Sequence, residues 1–193
     1  MITLHDRSGW FGASDTDRIV GNWATRSWMH WYLEKLGFPQ KRIETRAMNA
    51  GTHWEHRILD AINPLMEKDR QVKIEDLLLR VNLDGNTEDT IHEVKTYSAA
   101  KPFKVPPKYW RQVQVQMFAT GFRKAKIQAY GLIDEEYRNY FLPVDLKRLK
   151  TFDVEYDPKF IADKYLPRLE RLAKCLREGR VPGEVRNGRR GFV

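Results

Sequence analysis

The spacing of hydrophobic positions changes several times along the chain, from helix-like to strand-like and back, which is typical of a mixed α/β protein. Helical spacing occurs over residues 14–36, 52–68, 108–121 and 158–178. Strand-like alternation occurs over residues 71–75, 77–83, 89–96, 125–133 and 138–143. In the second helical segment, Pro64 would kink the helix or start a new one.

The sequence Asp84-Gly85-Asn86 separates the second and third of these predicted strands. Such residues favour a tight turn between antiparallel strands, so we predict a hairpin at this point. The succession of elements predicts one α/β domain over residues 1–193, a mixed β-sheet flanked by helices. The basic, glycine-rich end, about residues 180–193, is expected to be mobile.

Composition adds a polyanionic partner to this picture. The chain has 34 Lys and Arg against 26 Asp and Glu, a net charge of +8, and a pI of about 9.6. Nucleic acid is favoured over a membrane surface because no basic helix has a clean apolar face; a merely soluble basic surface is the alternative. The single cysteine, Cys175, excludes an intramolecular disulfide and a cysteine-based zinc site. With no long apolar run and no signal-peptide pattern, we expect no membrane insertion and a cytoplasmic protein.

Candidate chemistry is concentrated between Asp84 and Lys95. Glu93 and Lys95 are two positions apart on a predicted strand, so they share one face while Val94 faces the core. Across the predicted hairpin, Asp84 would meet Glu93. Two converging carboxylates repel each other unless a hard cation such as Mg²⁺ or Mn²⁺ binds between them, with the Val94 carbonyl as a third oxygen ligand. Such a cation activates water and stabilises a phosphodiester transition state, but an exposed Glu/Lys ladder would show the same spacing.

Three further side chains fit this chemistry. Lys95 would position or deprotonate the attacking water if burial lowers its pKa, or neutralise the phosphate as a cation; we favour positioning. Glu55 lies near the buried side of its predicted helix and needs a partner, either the same metal or a base such as Arg57. Gln112 and Gln116 follow one helical stripe, where they would orient the lysine or the water, or simply form a half-buried polar face.

Taken together, the segments "GTHWE", "NLDG", "HEVKTY" and "YWRQVQVQMFATG" resemble the lambda exonuclease / YqaJ recombinase family of the PD-(D/E)xK nuclease superfamily. The opening "RSGWFGASDTDRIVG" is similar to the start of that family, and the resemblance spans roughly residues 5–133. It implies a restriction-endonuclease-like core and a Mg²⁺-dependent 5′-to-3′ exonuclease that acts on double-stranded DNA ends in phage-type recombination. It also implies a single-strand annealing protein as a partner, a homo-oligomer, and the host cytoplasm as the location of a phage-encoded protein.

The resemblance also assigns residues. It implies that Asp84 and Glu93 are metal ligands together with the Val94 carbonyl, and that Lys95 is the catalytic lysine. By the same match, Glu55 is an acid near the metal and Gln112 is the characteristic helix glutamine.

For the 5′-phosphate, the resemblance points to Arg7 and Ser14. Ser14 would cap a helix whose free N–H groups suit a phosphate, and Arg7 would hold that phosphate bidentately. Asp15 and Asp17 oppose this assignment, since acids in the same turn would repel a phosphate.

A basic, aromatic stretch follows the lysine and suits DNA, since phosphates would meet its cations and unpaired bases would stack on its rings. Its candidate DNA-binding residues are Lys101, Lys104, Lys108, Tyr109 and Arg111. A solvated loop is the alternative. Near the start of the chain, Trp10 and Phe11 are either a wedge for a DNA end or core residues. Rival functions are an endonuclease on the same fold and a non-catalytic DNA-end-binding protein, and an RNA substrate stays open.

Overall fold

The computed structural model describes residues 8–38 and 45–183, so Arg7 and most of the predicted mobile tail lie outside the described residues. The helices are α1 (Thr16–Val20), α2 (Arg26–Lys35), α3 (Arg46–Ile62), α4 (Pro107–Thr120), α5 (Pro158–Phe160) and α6 (Leu166–Arg177), with a π-helical turn over Ile161–Tyr165 between the last two. The strands are β1 (Glu67–Lys68), β2 (Gln71–Ile74), β3 (Leu79–Asn82), β4 (Gly85–Asn86), β5 (Thr90–Ser98), β6 (Lys124–Leu132) and β7 (Leu149–Glu155).

Five strands form one mixed sheet in the order β1-β4-β5-β6-β7. The central pair, β5 and β6, is parallel, and Glu93 lies opposite Ile127 and Lys95 opposite Ala129. The other neighbours in this sheet are antiparallel. Strands β2 and β3 form a separate antiparallel pair. This is the mixed sheet flanked by helices that the sequence predicts.

The predicted hairpin, in which β3 would pair with β5, is wrong. Strand β3 pairs with β2, whereas Gly85 and Asn86 are themselves a short strand that pairs with His92 and Ile91 of β5. Gly85 serves close packing here: a Cβ atom at this position would lie 2.7 Å from the sulfur of Met66 and 3.0 Å from Leu59. A side chain at position 85 would displace the ends of the Met66 and Leu59 side chains, and local turn preferences do not reveal such contacts.

Two helix and strand bounds also differ from expectation. Helix α3 spans Arg46–Ile62 and ends before Pro64, which cannot continue the helix, and the Thr45 hydroxyl caps its start by accepting the N–H of Met48 at 3.2 Å. The strand predicted over 138–143 is absent from the described structure, where these residues follow a 3₁₀ turn as irregular chain.

The sheet has a hydrophobic layer on each face. On one face, Ile91 and Ile127 pack in a cluster that includes residues of α2, α4 and α6. On the other face, Val94 and Tyr130 pack with Trp54 and other residues of α3. Alternate residues of β5 therefore point toward α4 or toward α3, and Glu93 and Lys95 share the α4 side.

The segment before α1 is held against the small sheet. The N–H of Phe11 donates to the carbonyl of Leu78 and the N–H of Arg80 donates to the carbonyl of Phe11, both at 2.8 Å. Phe11 thereby pairs with Leu79 in an isolated parallel bridge, and its side chain is completely buried. This pairing brings the segment beside the end of β3, where Asp84 follows. None of the described helices is long and apolar enough to cross a membrane.

Candidate active site

The centre of the candidate site is Glu93 on β5, whose side chain is only 1% exposed. One carboxylate oxygen accepts a hydrogen bond from the Lys95 ammonium and a second, at 2.5 Å, from the side-chain amide of Gln112. The other oxygen accepts a hydrogen bond from the side-chain amide of Gln116. The two glutamines lie four positions apart on α4, so one face of that helix holds both oxygens. A buried carboxylate with three donors is fixed in position.

Asp84 approaches the same strand from the end of β3. Its carboxylate accepts the N–H of Val94 at 2.8 Å. The N–H and C=O of one strand residue point to the same side, so the Val94 carbonyl is also directed toward Asp84. The pairing of β4 with β5 runs over Ile91 and His92, and Val94 lies beyond it. Asp84, Glu93 and the Val94 carbonyl thus lie together at one strand edge.

Glu55 on α3 completes an acidic group. Burial raises the pKa of its carboxyl above the ordinary value, and the charge of Glu93 raises it further. Burial also raises the pKa of Asp84 well above its ordinary value, and Glu93 and Glu55 add to that shift. The charged forms of Glu55 and Asp84 are therefore destabilised, because like charges in a desolvated site repel. Three carboxylates and a carbonyl are the hard oxygen donors that suit Mg²⁺ or Mn²⁺, so the residues present fit such a cation.

Lys95 is held as a cation. Burial by itself would lower its pKa, but the Glu93 and Asp84 carboxylates and the hydrogen bond to Glu93 outweigh burial and raise it. Its ammonium also lies 5.1 Å from the centre of the Tyr109 ring. A lysine with a raised pKa is a poor base near neutral pH, so this environment favours the cationic alternative over proton abstraction.

These groups open into a cavity of about 250 Å³. It is lined by Glu55, Asp84, Glu93, Lys95 and Gln112, and also by the segment from Trp10 to Asp15, which is called the cavity wall below. All five predicted catalytic residues therefore line one cavity. Arg80, which the sequence did not single out, also contributes to the lining.

Ser14 lies in that wall and is exposed, but it does not cap a helix as predicted. It is the middle residue of a 3₁₀ turn, Ala13–Asp15, and the residue before α1 is Asp15. Asp15 takes the local bond instead, since its carboxylate accepts the N–H of Gly12 at 2.8 Å. Ser14 is left with its hydroxyl available at the cavity wall.

The two acids that argue against phosphate binding at this wall are both paired. Asp15 accepts from the Lys35 ammonium at 2.7 Å and from the Trp31 indole at 2.9 Å. Asp17 pairs with Arg111 at 2.8 Å. Their negative charge is therefore largely compensated, which removes the electrostatic objection to an anion near Ser14. Arg111, predicted to bind DNA, contributes part of this compensation.

The basic stretch that leads into the first turn of α4 is exposed at Lys101, Lys104 and Lys108. The Lys108 ammonium lies 4.9 Å from the centre of the Tyr109 ring, whose other cationic neighbour is Lys95. Tyr109 therefore links the exposed lysines to the cavity. Of the two aromatic residues proposed as a wedge, Phe11 is a core residue with no exposed surface, whereas Trp10 lines the cavity.

A second group of possible metal ligands adjoins Glu55. The ligand atoms of Glu55, His56 and Asp69 lie within 4.8 Å of one another, and the His56 ring nitrogen is 3.0 Å from the Asp69 carboxylate. The sequence analysis missed both His56 and Asp69. The adjacency of His56 to Glu55 was a usable signal, but Asp69 is brought there by the turn between β1 and β2. Arg57, the alternative partner for Glu55, donates to the carbonyl of Leu142 at 2.7 Å instead.

Loss of the Lys35 ammonium should destabilise the cavity wall. In Lys35→Met the buried Asp15 carboxylate keeps no cationic partner, and we expect the free energy of unfolding, measured with urea, to fall by about 3 kcal/mol. Adding Asp15→Asn should restore part of that loss. The matched control is Lys124→Met, which removes an exposed ion pair with Asp89 and should cost less than about 0.5 kcal/mol. Equal losses in the two lysine variants would contradict a structural role for the buried pair.

The fold and the site together define an α/β protein with an acid-and-lysine cluster at the edge of its central strand. No protein-family profile matches the sequence, and no curated protein matches it significantly. The structure resembles the alkaline exonuclease LHK-Exo from Laribacter hongkongensis, with a TM-score of 0.65 and 20% identity over 89% of this chain and 90% of that one. The complex of LHK-Exo with dAMP matches with the same score and coverage and 21% identity.

A phage-related exonuclease from Haemophilus somnus 129PT also has a similar structure. Its TM-score is 0.61, with 14% identity over 88% of this chain and 94% of that one. At these identities the likeness establishes the fold. The chain therefore has the α/β fold of these exonucleases, and the fold class expected from the sequence is confirmed.

Proposed function

We propose that this protein is a Mg²⁺-dependent DNA exonuclease that degrades one strand of double-stranded DNA from a 5′ end. The observation that carries the proposal is the meeting of Asp84, Glu93 and Lys95 in one cavity, with the Asp84 carboxylate bonded to the N–H of Val94 and Lys95 bonded to Glu93. The fold that this chain shares with solved exonucleases supports the same class of reaction. The net charge of +8 suits a polyanionic substrate.

Asp84, Glu93 and the Val94 carbonyl would hold the cation, with Glu55 beside it. A cation here would relieve the repulsion that raises the pKa of Asp84 and Glu55. When bound, Mg²⁺ would polarise a phosphate oxygen and lower the pKa of a bound water, and Mn²⁺ would substitute for it. Glu93 accepts three hydrogen bonds, and a carboxylate has about four acceptor positions, so it retains capacity for a ligand bond.

Lys95 acts as a fixed cation in this proposal. Its ammonium, held by Glu93, faces the same cavity and stabilises negative charge that develops on the scissile phosphate, besides positioning the attacking water. Gln112 and Gln116 hold Glu93 and so fix Lys95 indirectly. The two glutamines add no charge. The negative charge of the acids that Lys95 does not offset would therefore be offset by the metal.

The DNA would lie across the wall and the basic stretch. Ser14, with Arg7 by family resemblance, would bind the 5′-phosphate. The exposed side chains of Lys101, Lys104 and Lys108 would contact phosphates, and Tyr109 would contact the strand nearest Lys95. The family resemblance adds the remaining parts of the proposal. The protein would act in phage-type recombination with a single-strand annealing protein as partner. It would form a homo-oligomer and work in the host cytoplasm.

The deciding experiment compares linear duplex DNA, 5′-phosphorylated on one strand, with covalently closed circular DNA, each in Mg²⁺ and in EDTA. The expected result is loss of the phosphorylated strand from its 5′ end in Mg²⁺ alone, with the circle intact. Cutting of the circle would instead identify an endonuclease on this fold. Tight binding to ends without hydrolysis in either medium would identify a DNA-end-binding protein, and digestion from the 3′ end would overturn the polarity.

The contribution of the cavity wall is tested with Ser14→Ala. Wild-type protein should digest 5′-phosphorylated ends faster than 5′-hydroxyl ends, and the variant should lose about three- to tenfold of that preference, as expected for a hydrogen bond to a charged group. The measurement is the ratio of initial rates on the two substrates. A change of both rates by one factor, with the ratio intact, would show that the phosphate binds elsewhere. Thr16→Ser, which retains the hydroxyl that bonds the carbonyl of Ala13 in the same turn, is the control.

A further inference from the structure

The six tryptophans of the chain all lie in the described residues, and they differ in how they are anchored. Four donate their indole N–H to a protein oxygen at 2.8–2.9 Å. These four are Trp23, Trp28, Trp31 and Trp54. Within residues 8–38 and 45–183, Trp10 and Trp110 have no such bond. Trp110 packs edge-on against the ring of Phe160. Among the described residues, Trp10 is therefore the one tryptophan with neither a hydrogen bond from its indole N–H nor an aromatic ring packed against it.

Trp10 is nevertheless fixed in place by its neighbour. Phe11 is bonded on both sides of its peptide to the backbone around Leu79, and its ring is fully buried. Successive residues of an extended segment point to opposite sides, so the burial of Phe11 directs Trp10 away from the core. Trp10 is half-buried and is one of the residues that line the cavity with Asp84 and Glu93.

A cation adjoins the ring. The ammonium of Lys73, an exposed residue of β2, lies 5.1 Å from the centre of the Trp10 ring. An aromatic ring with a lysine beside it, at the edge of a groove for nucleic acid, can take a base by stacking and the adjoining phosphate by charge. Core packing does not account for Trp10, because this residue is half-buried, borders the cavity and belongs to neither hydrophobic cluster of the described structure.

We propose that Trp10 is a stacking platform for the base of the terminal nucleotide, and that Lys73 holds the neighbouring phosphate. This inference rests on the proposed function and makes its substrate more specific. A base that enters this cavity of about 250 Å³ to stack on Trp10 must have left its partner in the duplex, so the enzyme engages an end whose last nucleotide is unpaired. Because every base has an aromatic face, the platform accepts any of the four.

The test is a comparison of two DNA ends that differ in one base. Both are duplexes with a short unpaired 5′ end, and in one the 5′-terminal nucleotide is replaced by an abasic tetrahydrofuran. Binding is measured by fluorescence anisotropy in EDTA, so that no strand is hydrolysed. Wild-type protein should bind the end with the base about tenfold more tightly, which lies within the range for one base–aromatic stack.

In Trp10→Ala the two ends should bind with equal affinity, whereas Trp10→Phe should retain part of the preference. The matched control, Trp110→Phe, changes a tryptophan that borders a separate cavity with Phe160 and should keep the full preference. Lys73→Met should weaken binding of both ends by one factor, since it removes charge and leaves the ring. A preference in Trp10→Ala equal to that of wild type would overturn the platform.

Hydrolysis in Mg²⁺ is measured separately on the unmodified end. Normal hydrolysis by wild type together with an unchanged preference in Trp10→Ala would overturn the platform and leave the proposed function standing. Loss of the preference in Trp10→Ala without hydrolysis by wild type would support the platform and overturn the exonuclease. Thermal unfolding of each variant identifies any loss of affinity that follows from misfolding, and Trp10→Phe supplies the folded comparison.

Discussion

Lys95→Ala should reduce the rate of hydrolysis of linear duplex DNA by at least about 10³-fold while changing the affinity for DNA by less than about threefold. The expectation follows from the position of the ammonium, which lies against Glu93 inside the cavity and keeps its proton because both Glu93 and Asp84 raise its pKa. The exposed lysines outside the cavity supply most of the attraction for DNA. The measurement is single-turnover hydrolysis in Mg²⁺ beside equilibrium binding in EDTA.

Lys174→Ala, which changes an exposed lysine of α6, is the control for loss of one positive charge. A second readout separates catalysis from structure. Lys95 lowers the pKa of both Asp84 and Glu55, so its removal should raise both further. In EDTA the variant should then lose thermal stability relative to wild type as pH rises, because the acids must ionise without their cation. Hydrolysis by Lys95→Ala at the wild-type rate would show that the lysine has no part in the chemistry.

Local periodicity was enough to predict which side chains share a face at the centre of the candidate site. Glu93 and Lys95 share a strand face because side chains alternate, and Gln112 and Gln116 share a helix face because four residues make about one turn. These relations hold within one element, so a sequence reveals them. In the structure Lys95, Gln112 and Gln116 all bond to Glu93, a contact between the helix and the strand that spacing within one element does not predict.

Asp84 lies close to β5, as predicted, but a different strand pairing places it there. The sequence suggested a hairpin, but β3 pairs with β2, and Asp84 is fixed by the N–H of Val94. Gly85 looks like a turn residue, yet its lack of a side chain serves the contact with Met66 and Leu59. Residues 59 and 66 precede the turn and lie in another layer, so local turn preferences contain no information about them.

The pairing of Asp15 and Asp17 with cations in the cavity wall could not be predicted from the sequence either. Asp15 and Lys35 lie on different elements, and their pairing depends on how α2 packs beside the first turn. From sequence, Asp15 and Asp17 indicated a wall that repels phosphate. The structure reverses that interpretation because each acid has a cation at 2.7–2.8 Å. Electrostatic arguments from sequence fail in this way whenever the partner comes from a distant segment.

Asp84→Asn should give a protein that is inactive and, without metal, more stable than wild type. The folded pKa of Asp84 lies well above its ordinary value because burial, Glu93 and Glu55 all oppose its charge. A group with a raised folded pKa contributes most to stability below its unfolded pKa, and that contribution is lost as pH rises toward the folded pKa. Near neutral pH the metal-free wild type has therefore lost stability through Asp84, because the carboxyl ionises more readily in the unfolded chain than in the folded one, and an uncharged amide avoids that loss.

The side chain introduced by Asp84→Asn can still accept the N–H of Val94, because its amide carbonyl takes the place of the carboxylate oxygen. We expect the Tm in EDTA to rise by a few degrees, at about 2–4 °C for each kcal/mol in a chain of this size. Lowering the pH toward about 4, the ordinary range of an aspartate, should shrink the difference between variant and wild type, since the carboxyl of the unfolded wild-type chain then takes up a proton as well.

In Mg²⁺ the order of the two Tm values should reverse, with wild type more stable than Asp84→Asn. A cation that binds the folded state alone stabilises it, so the Tm of wild type should rise with Mg²⁺ concentration, while the Tm of Asp84→Asn should hardly change. Hydrolysis should fall by at least about 10³-fold, as for other losses of a group that stabilises the transition state. Asp153→Asn, in which an exposed acid paired with Lys126 is changed, should behave as wild type in both media. A lower Tm for Asp84→Asn in EDTA, or a Mg²⁺ response as large as that of wild type, would mean that Asp84 is not a metal ligand and that its buried charge is stabilised by groups other than a cation.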